Sequence, residues 1–219
     1  MTAKIKLNAA SGGGSFSLQA PASSSNNRVI TLPDIADGTL LTNQSSLDST
    51  KLSPAISGGL AMADQWRYTA EFTLTNSHSH FGVTNNWERP DTDLGISSNP
   101  LGTGMTQSGG IFSFPSTGYY FITFQANCAP PNDSCEAYAF IRTTTNNSSY
   151  SNASQAFFTI ANQCTPNYQC LYLSYTARVT DTSNQKIQFR VQNSGLSVVW
   201  YGNTNANRIA ATFLKLGDI

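Results

Sequence analysis

The chain has 219 residues and no net charge, with 12 Lys+Arg against 12 Asp+Glu. Charged residues are only 11% of it, so no field gathers nucleic acid or anionic lipid, and a basic nucleic-acid binder is disfavoured. Neutral polarity takes the place of charge: 27 Ser, 24 Thr and 20 Asn make up nearly a third of the residues, a surface solvated without strong electrostatics. No apolar run approaches the roughly 18–20 residues that cross a bilayer, so membrane insertion is not expected.

The chain opens Met-Thr-Ala-Lys-Ile-Lys and runs into Ser and Gly with no apolar signal core, which predicts synthesis in a cytosol without an export signal. Brief strands are expected at 4–7, 16–19 and 29–32, separated by Ser11-Gly12-Gly13-Gly14 and Pro21-Ala22-Ser23-Ser24-Ser25. Three strands that short cannot close a core alone, so residues 1–42 read as an attachment arm that needs a partner surface. Residues 43–66 read as a linker with one helical turn. Five Asn-x-Ser/Thr triplets, at Asn43, Asn132, Asn146, Asn147 and Asn152, are what chance gives in so Asn-, Ser- and Thr-rich a chain and do not indicate glycosylation.

Residues 67–219 form a β-rich head. Tyr68, Ala70, Phe72 and Leu74 alternate with Arg67, Thr69, Glu71 and Thr73, and Ile187, Phe189 and Val191 alternate with Lys186, Gln188, Arg190 and Gln192. Each run has one wet and one dry face, the pattern of a half-buried strand. Further strands are expected at 111–114, 119–127, 138–143, 156–160, 171–179, 196–201 and 209–216. Helical periodicity is almost absent, and many short strands at this spacing predict an all-β sandwich or barrel.

The run Gly110-Ile111-Phe112-Ser113-Phe114-Pro115-Ser116-Thr117-Gly118-Tyr119-Tyr120-Phe121-Ile122-Thr123-Phe124 resembles the central signature of the complement globular-head and tumour-necrosis-factor jelly-roll superfamily. Tyr138 to Arg142, the pair 172–179 and 185–192, and Ala210 to Leu216 follow in the order of that family's later strands. The resemblance covers about 150 residues and implies a C-terminal jelly-roll head. It also implies a homotrimer, with Tyr119, Phe121 and Phe213 as candidates for the threefold axis. Ile5-Lys6-Leu7-Asn8, Phe16 to Ala22 and Val29 to Asp34 followed by Gly38-Thr39-Leu40-Leu41-Thr42 are similar to repeats in virion proteins of tailed bacteriophages. That likeness implies a structural protein on the virion surface, released by lysis and held to other virion proteins by the arm. Such a chain is a short fibre or spike whose head binds a host glycan or protein, or alternatively a capsid decoration (cement) protein. A carbohydrate-binding module or enzyme is the remote alternative.

Four cysteines fall in two close pairs, Cys128 with Cys135 and Cys164 with Cys170, each bracketing a loop at a strand end. Two local disulfides are the simplest reading, each worth about 2–3 kcal/mol in the chain-entropy model. A four-thiolate zinc site has spacings wider than usual, and reduced thiols are the cytosolic default; both stay open. His78 and His80 form an H-x-H pair whose imidazoles share one face if they lie on a strand, about 6–7 Å apart. Around a threefold axis six such rings could hold a transition metal; otherwise they are polar residues of a Ser-rich turn.

Catalysis has little support. Both histidines share one turn with no nucleophile-elbow motif beside it, and Glu88, Asp91 and Asp93 read as turn caps before they read as a glycosidase pair or calcium ligands. No enzyme activity and no cofactor are expected. Loop aromatics beside small polar residues are the better binding signal: Trp87 and Tyr168, with Asn167 next to the latter, are the candidate ligand-binding residues, and Tyr150 belongs to the same class. Trp200 and Tyr201 read as strand residues of the core or of a subunit contact.

Overall fold

The structure is a computed structural model that describes residues 4–8, 11–19, 23, 60–75, 80–90, 99–130, 135–160, 168–195 and 197–219. The chain divides into two units, Met1–Ser57 and Gly58–Ile219.

In the first unit β1 (Lys4–Asn8) pairs antiparallel with β2 (Ser15–Gln19), from Lys4 opposite Gln19 to Asn8 opposite Ser15. Gly12 and Gly13 in the connection take φ of 84° and 69°, a region L side chains rarely enter, which is why a glycine run closes this hairpin. A two-stranded ribbon is marginal by itself. The strand expected at 29–32 and the helical turn expected within 43–66 lie outside the described residues.

The second unit is the head. Its strands are β3 (Met62–Tyr68), β4 (Phe72–Leu74), β5 (His80–Gly82), β6 (Trp87–Glu88), β7 (Thr106–Ser108), β8 (Ile111–Ser113), β9 (Gly118–Ala129), β10 (Cys135–Thr144), β11 (Ser151–Ile160), β12 (Gln169–Val179), β13 (Lys186–Ser194), β14 (Val198–Trp200) and β15 (Ile209–Gly217). No helix occurs among the described residues. One sheet runs β11-β10-β13-β8-β7, with β5 sharing the β8 edge of β13; the other runs β4-β14-β9-β15-β3-β6, with β12 on the free side of β9. All the pairings are antiparallel, and the two sheets pack as the jelly-roll sandwich expected. Burial alternates residue by residue from Gly118 to Ala129 and again along β13, so the period of two read in the sequence is the period of the core.

Two boundaries differ from expectation. The head starts earlier than residue 67, because β3 begins at Met62, within the segment read as linker. Its inward positions are Met62, Asp64, Trp66 and Tyr68, and a carboxylate among the dry residues breaks the apolar alternation that marks a strand. The strand expected across 67–74 is two, since β3 ends at Tyr68 and β4 begins at Phe72. Between them the chain meets Gly202: a Cβ there would lie 2.0 Å from the Ala70 carbonyl oxygen, and the next residue, Asn203, donates its N–H to Tyr68 O at 2.9 Å.

The core is aromatic. Phe112 meets Trp66 and Trp87 edge to face at 5.7 and 5.2 Å, and Phe124 stacks on Phe189 at 4.6 Å. At one end of β3 the buried Asp64 carboxylate accepts from Trp66 Nε1 at 2.9 Å, from Arg89 Nε and Nη2 at 2.9 and 3.0 Å, and from the Met105 N–H at 2.7 Å. Arg89 also donates to Met105 O at 2.8 Å and lies 4.4 Å over the Trp66 ring. The charge in the sandwich is therefore fully occupied, and it ties the approach to β7 onto β3.

Candidate functional site

A cavity of about 420 Å³ opens where β9 ends and β12 begins. Its walls are Asn127 and Cys128 of β9, Tyr168, Gln169 and Cys170 at the start of β12, Tyr201 just after β14 and Arg208 just before β15. Backbone bonds gather these segments: Asn127 N–H donates to Arg208 O at 3.1 Å, and Tyr201 N–H donates to Asn127 O at 2.9 Å. On the opposite edge of β9, Cys170 sits opposite Asn127 and Gln169 opposite Cys128.

Two phenols, a guanidinium and an amide converge there. The Tyr168 and Tyr201 rings are 5.8 Å apart and tilted by 52°, and the Arg208 guanidinium lies 5.9 Å from the Tyr201 ring. Tyr168 is 66% exposed, a large ring presented to solvent. Partial burial, then the like charge of Tyr168, raise the Tyr201 phenol above its ordinary range, so its hydroxyl stays protonated as a donor at neutral pH. Asn127 Oδ1 is buried and accepts no hydrogen bond. A buried acceptor left empty beside an open cavity is a place for a donor such as a hydroxyl. The wall thus offers ring surface, donors and one unfilled acceptor, which suits a polyhydroxylated or amide-bearing ligand.

Of the ligand residues expected from sequence, Tyr168 is in this wall and Asn167 lies outside the described residues. Trp87 is corrected: it is buried, donates Nε1–H to Val83 O at 2.7 Å and packs on Tyr68, Phe112 and Phe189. Polar neighbours in sequence did not keep its indole in solvent, because Arg67–Glu88 at 2.9 Å and Arg89–Asp64 draw the segment onto β3. Trp200 is in the core as expected, whereas Tyr201 turns to the cavity. Asn127 and Arg208 were not expected; an isolated Arg directly after the polar run Asn203 to Asn207 was the only local signal.

Cys128, Cys135 and Cys170 are thiols in the structure, and Cys164 lies outside the described residues. Cys128 and Cys135 are both buried, at the inner faces of opposite sheets, and most of the loop expected between them lies outside the described residues. Burial, then the like charges of Cys135 and Cys170, push the Cys128 thiol far above its ordinary range. Cys170 is exposed, one residue along β12 from the position facing Cys128, so the two point to opposite faces of the sheet. His80 opens β5, opposite Gln192, and His78 lies outside the described residues. So do Asp91 and Asp93, the proposed calcium partners of Glu88; Glu88 itself pairs with Arg67 and accepts from Thr204 Oγ1 at 2.8 Å.

No protein-family model matches the chain, and no curated protein is similar to it. Among solved structures, murine APRIL is 10% identical, with 71% of this chain and 98% of that one covered and a TM-score of 0.49. The PRD1 vertex protein P5 is 14% identical, with 73% and 100% covered and a TM-score of 0.39. Eiger TNF from S. frugiperda is 11% identical, with 72% and 93% covered and a TM-score of 0.50, and that likeness shows the head to have a tumour-necrosis-factor-type jelly-roll fold.

Proposed function

We propose that the chain is a phage virion surface protein, a trimeric short fibre or spike whose head engages the host through the cavity at the end of β9. The observation that carries the binding role is the presented Tyr168–Tyr201 pair beside the unfilled Asn127 acceptor. The virion role rests on the arm's resemblance to phage repeats, and the same reading makes the protein a binder, not an enzyme.

Self-association is supported by the outer face of the β12-β9-β15 sheet. Tyr119 and Leu216 are exposed side by side, and Phe121 and Leu214 are half-buried cross-strand partners next to them. A contiguous apolar row on a solvent face is a surface to be covered, and a second copy of the chain is its natural cover. Phe213, the third candidate for the axis, is fully buried in the core and cannot serve.

The decoration-protein reading is favoured by one feature, the β1–β2 hairpin, which needs a partner that a capsid subunit could supply. Imaging of virions carrying a labelled copy separates the two: a few copies at the tail support the spike, and hundreds on the shell support decoration. The mass in dilute solution should be three times 23.6 kDa, and a stable monomer would overturn the trimer.

A further inference from the structure

The segment that carries Arg208 into the cavity wall is bonded along its length to its surroundings. Asn203 N–H donates to Tyr68 O at 2.9 Å, Thr204 Oγ1 to Glu88 Oε1 at 2.8 Å and Asn205 N–H to Asn203 Oδ1 at 2.7 Å. Asn207 Nδ2 donates to Gln65 Oε1 at 2.7 Å, and Asn207 O accepts from Gln125 Nε2. The Arg208 backbone is bonded as well: its N–H donates to Ala206 O at 2.9 Å and its carbonyl accepts from Asn127 N–H at 3.1 Å. A residue whose main chain is fixed on both sides is in place before a ligand arrives, which lowers the ordering cost of binding.

The Arg208 guanidinium is the exception in this segment. It is exposed, its contact is the Tyr201 ring at 5.9 Å, and among the described residues no hydrogen bond or ion pair engages it. Arg67 and Arg89 differ, being held by the Glu88 and Asp64 carboxylates. Glu71, in the connection between β3 and β4, acts with Arg208 on the Tyr201 phenol, but no ion pair joins Glu71 to Arg208 among the described residues. A guanidinium on a cavity wall with no carboxylate of the protein on it is a fork for the carboxylate of a ligand. The rest of the wall says what else that ligand carries. The tilted Tyr168 and Tyr201 rings offer a surface for the C–H face of a sugar, and the empty, buried Asn127 Oδ1 requires a donor, which a carboxylate lacks. A volume of about 420 Å³ is at the small end of ligand sites and takes a terminal group rather than a chain.

We infer that the cavity takes a terminal acidic sugar, a uronic or nonulosonic acid, whose carboxylate meets Arg208, whose ring lies on Tyr168 and whose hydroxyl donates to Asn127 Oδ1. This rests on the reading of the cavity as the host-binding site and narrows its ligand to negatively charged glycan ends. A neutral sugar leaves the guanidinium unanswered, and a simple carboxylate leaves the rings and the acceptor empty.

The test is an NMR titration of the full chain with methyl β-D-glucuronide and with the methyl α-glycoside of N-acetylneuraminic acid; which of the two binds names the source. Methyl β-D-glucoside, which has a hydroxymethyl group where the glucuronide has its carboxylate, is the neutral control, and acetate is the charged one. At least one acidic glycoside should bind about tenfold more tightly than the glucoside, with an affinity that falls as salt rises, and acetate should not displace it. Arg208→Gln, at an exposed position, should bring the acid down to the level of the glucoside and remove the salt dependence at unchanged thermal stability. Arg208→Lys, which keeps the charge but not the fork, should be intermediate. Tyr168→Ala should weaken acidic and neutral glycosides alike, whereas Phe157→Ala, exposed on the opposite sheet, should change neither. Bound glycoside should also slow iodoacetamide alkylation of Cys170, an exposed thiol of the same wall, which locates the sugar without a variant. The inference is overturned if neither acid binds, if the glucoside binds as tightly, or if Arg208→Gln leaves the preference for acid intact. It is overturned equally if Arg208→Gln alters the oligomer mass, since the guanidinium would then be a subunit contact. Equal binding of acid and glucoside with Cys170 protected would end the acidic specificity alone and leave the cavity as the host-binding site; binding that leaves Cys170 unprotected would count against the cavity itself.

Discussion

Two polar clusters lie in the head, and they are built in opposite ways. Around Asp64 the carboxylate oxygens take four donors, from Trp66, Arg89 and the Met105 backbone, and the guanidinium that answers them also caps an indole ring. Around Asn127 the backbone is bonded on both sides, yet its side-chain oxygen accepts nothing and the tyrosines beside it face water. A buried polar group that is satisfied holds a fold in one arrangement; one left open beside a cavity costs stability that a ligand can return. The contrast separates what builds this protein from what it presents.

The comparison breaks most visibly at Asp64. Asp64→Ala strands the Arg89 guanidinium and two N–H donors, so unfolding free energy should drop by about 3–5 kcal/mol, measured by urea denaturation. The double variant Asp64→Ala/Arg89→Met should recover part of that loss, because the orphaned charge goes with its partner. Additive losses would mean that the cluster is not one unit.

Gly202→Ala tests how the cavity wall is positioned. Its methyl would strike the Ala70 carbonyl, so a loss of about 1–3 kcal/mol is expected together with displaced Tyr201 and Arg208. The shift is read from the Tyr201 ring signals, which an unaffected wall would leave in place.

A smaller effect concerns Cys128. Its folded pKa is raised, so below the ordinary thiol value of 9.0 both folded and unfolded forms are protonated and stability is unaffected. Above that pH the unfolded thiol ionises first and stability falls as pH rises. Cys128→Ala should flatten the alkaline limb of a stability–pH curve. Brief alkylation of the reduced native protein should modify Cys170 and spare Cys128, because only the former is exposed. A Cys128–Cys135 link in mature particles would remove the same alkaline limb.

Much of this division was legible in the sequence where the physics is local. The alternation of β9, β12 and β13 depends only on which side of the pleat each residue takes, and it was readable directly. Tyr168 was readable because it stands among small polar residues at a strand end. Trp87 stood among them too, but its direction is set by ion pairs to β3, some twenty residues away in the chain. Asp64 hid the start of β3 by placing a charge where the pattern demands an apolar residue. Asn127 and Arg208 were out of reach for a different reason: only the pairing of β9 with β15 makes them neighbours across roughly eighty residues.

The central claim is that the open cluster is the presented one. Virions carrying Tyr168→Ala with Arg208→Gln, residues that line the cavity and lie outside the core, give the most direct measurement: the rate constant for adsorption to host cells, taken beside protein content and survival after heating. The account predicts adsorption at least about tenfold slower, the equivalent of 1.4 kcal/mol of lost binding, on particles of normal composition and heat resistance. Normal adsorption by these particles would contradict it, and fragile shells when the whole protein is missing would then assign the head to decoration.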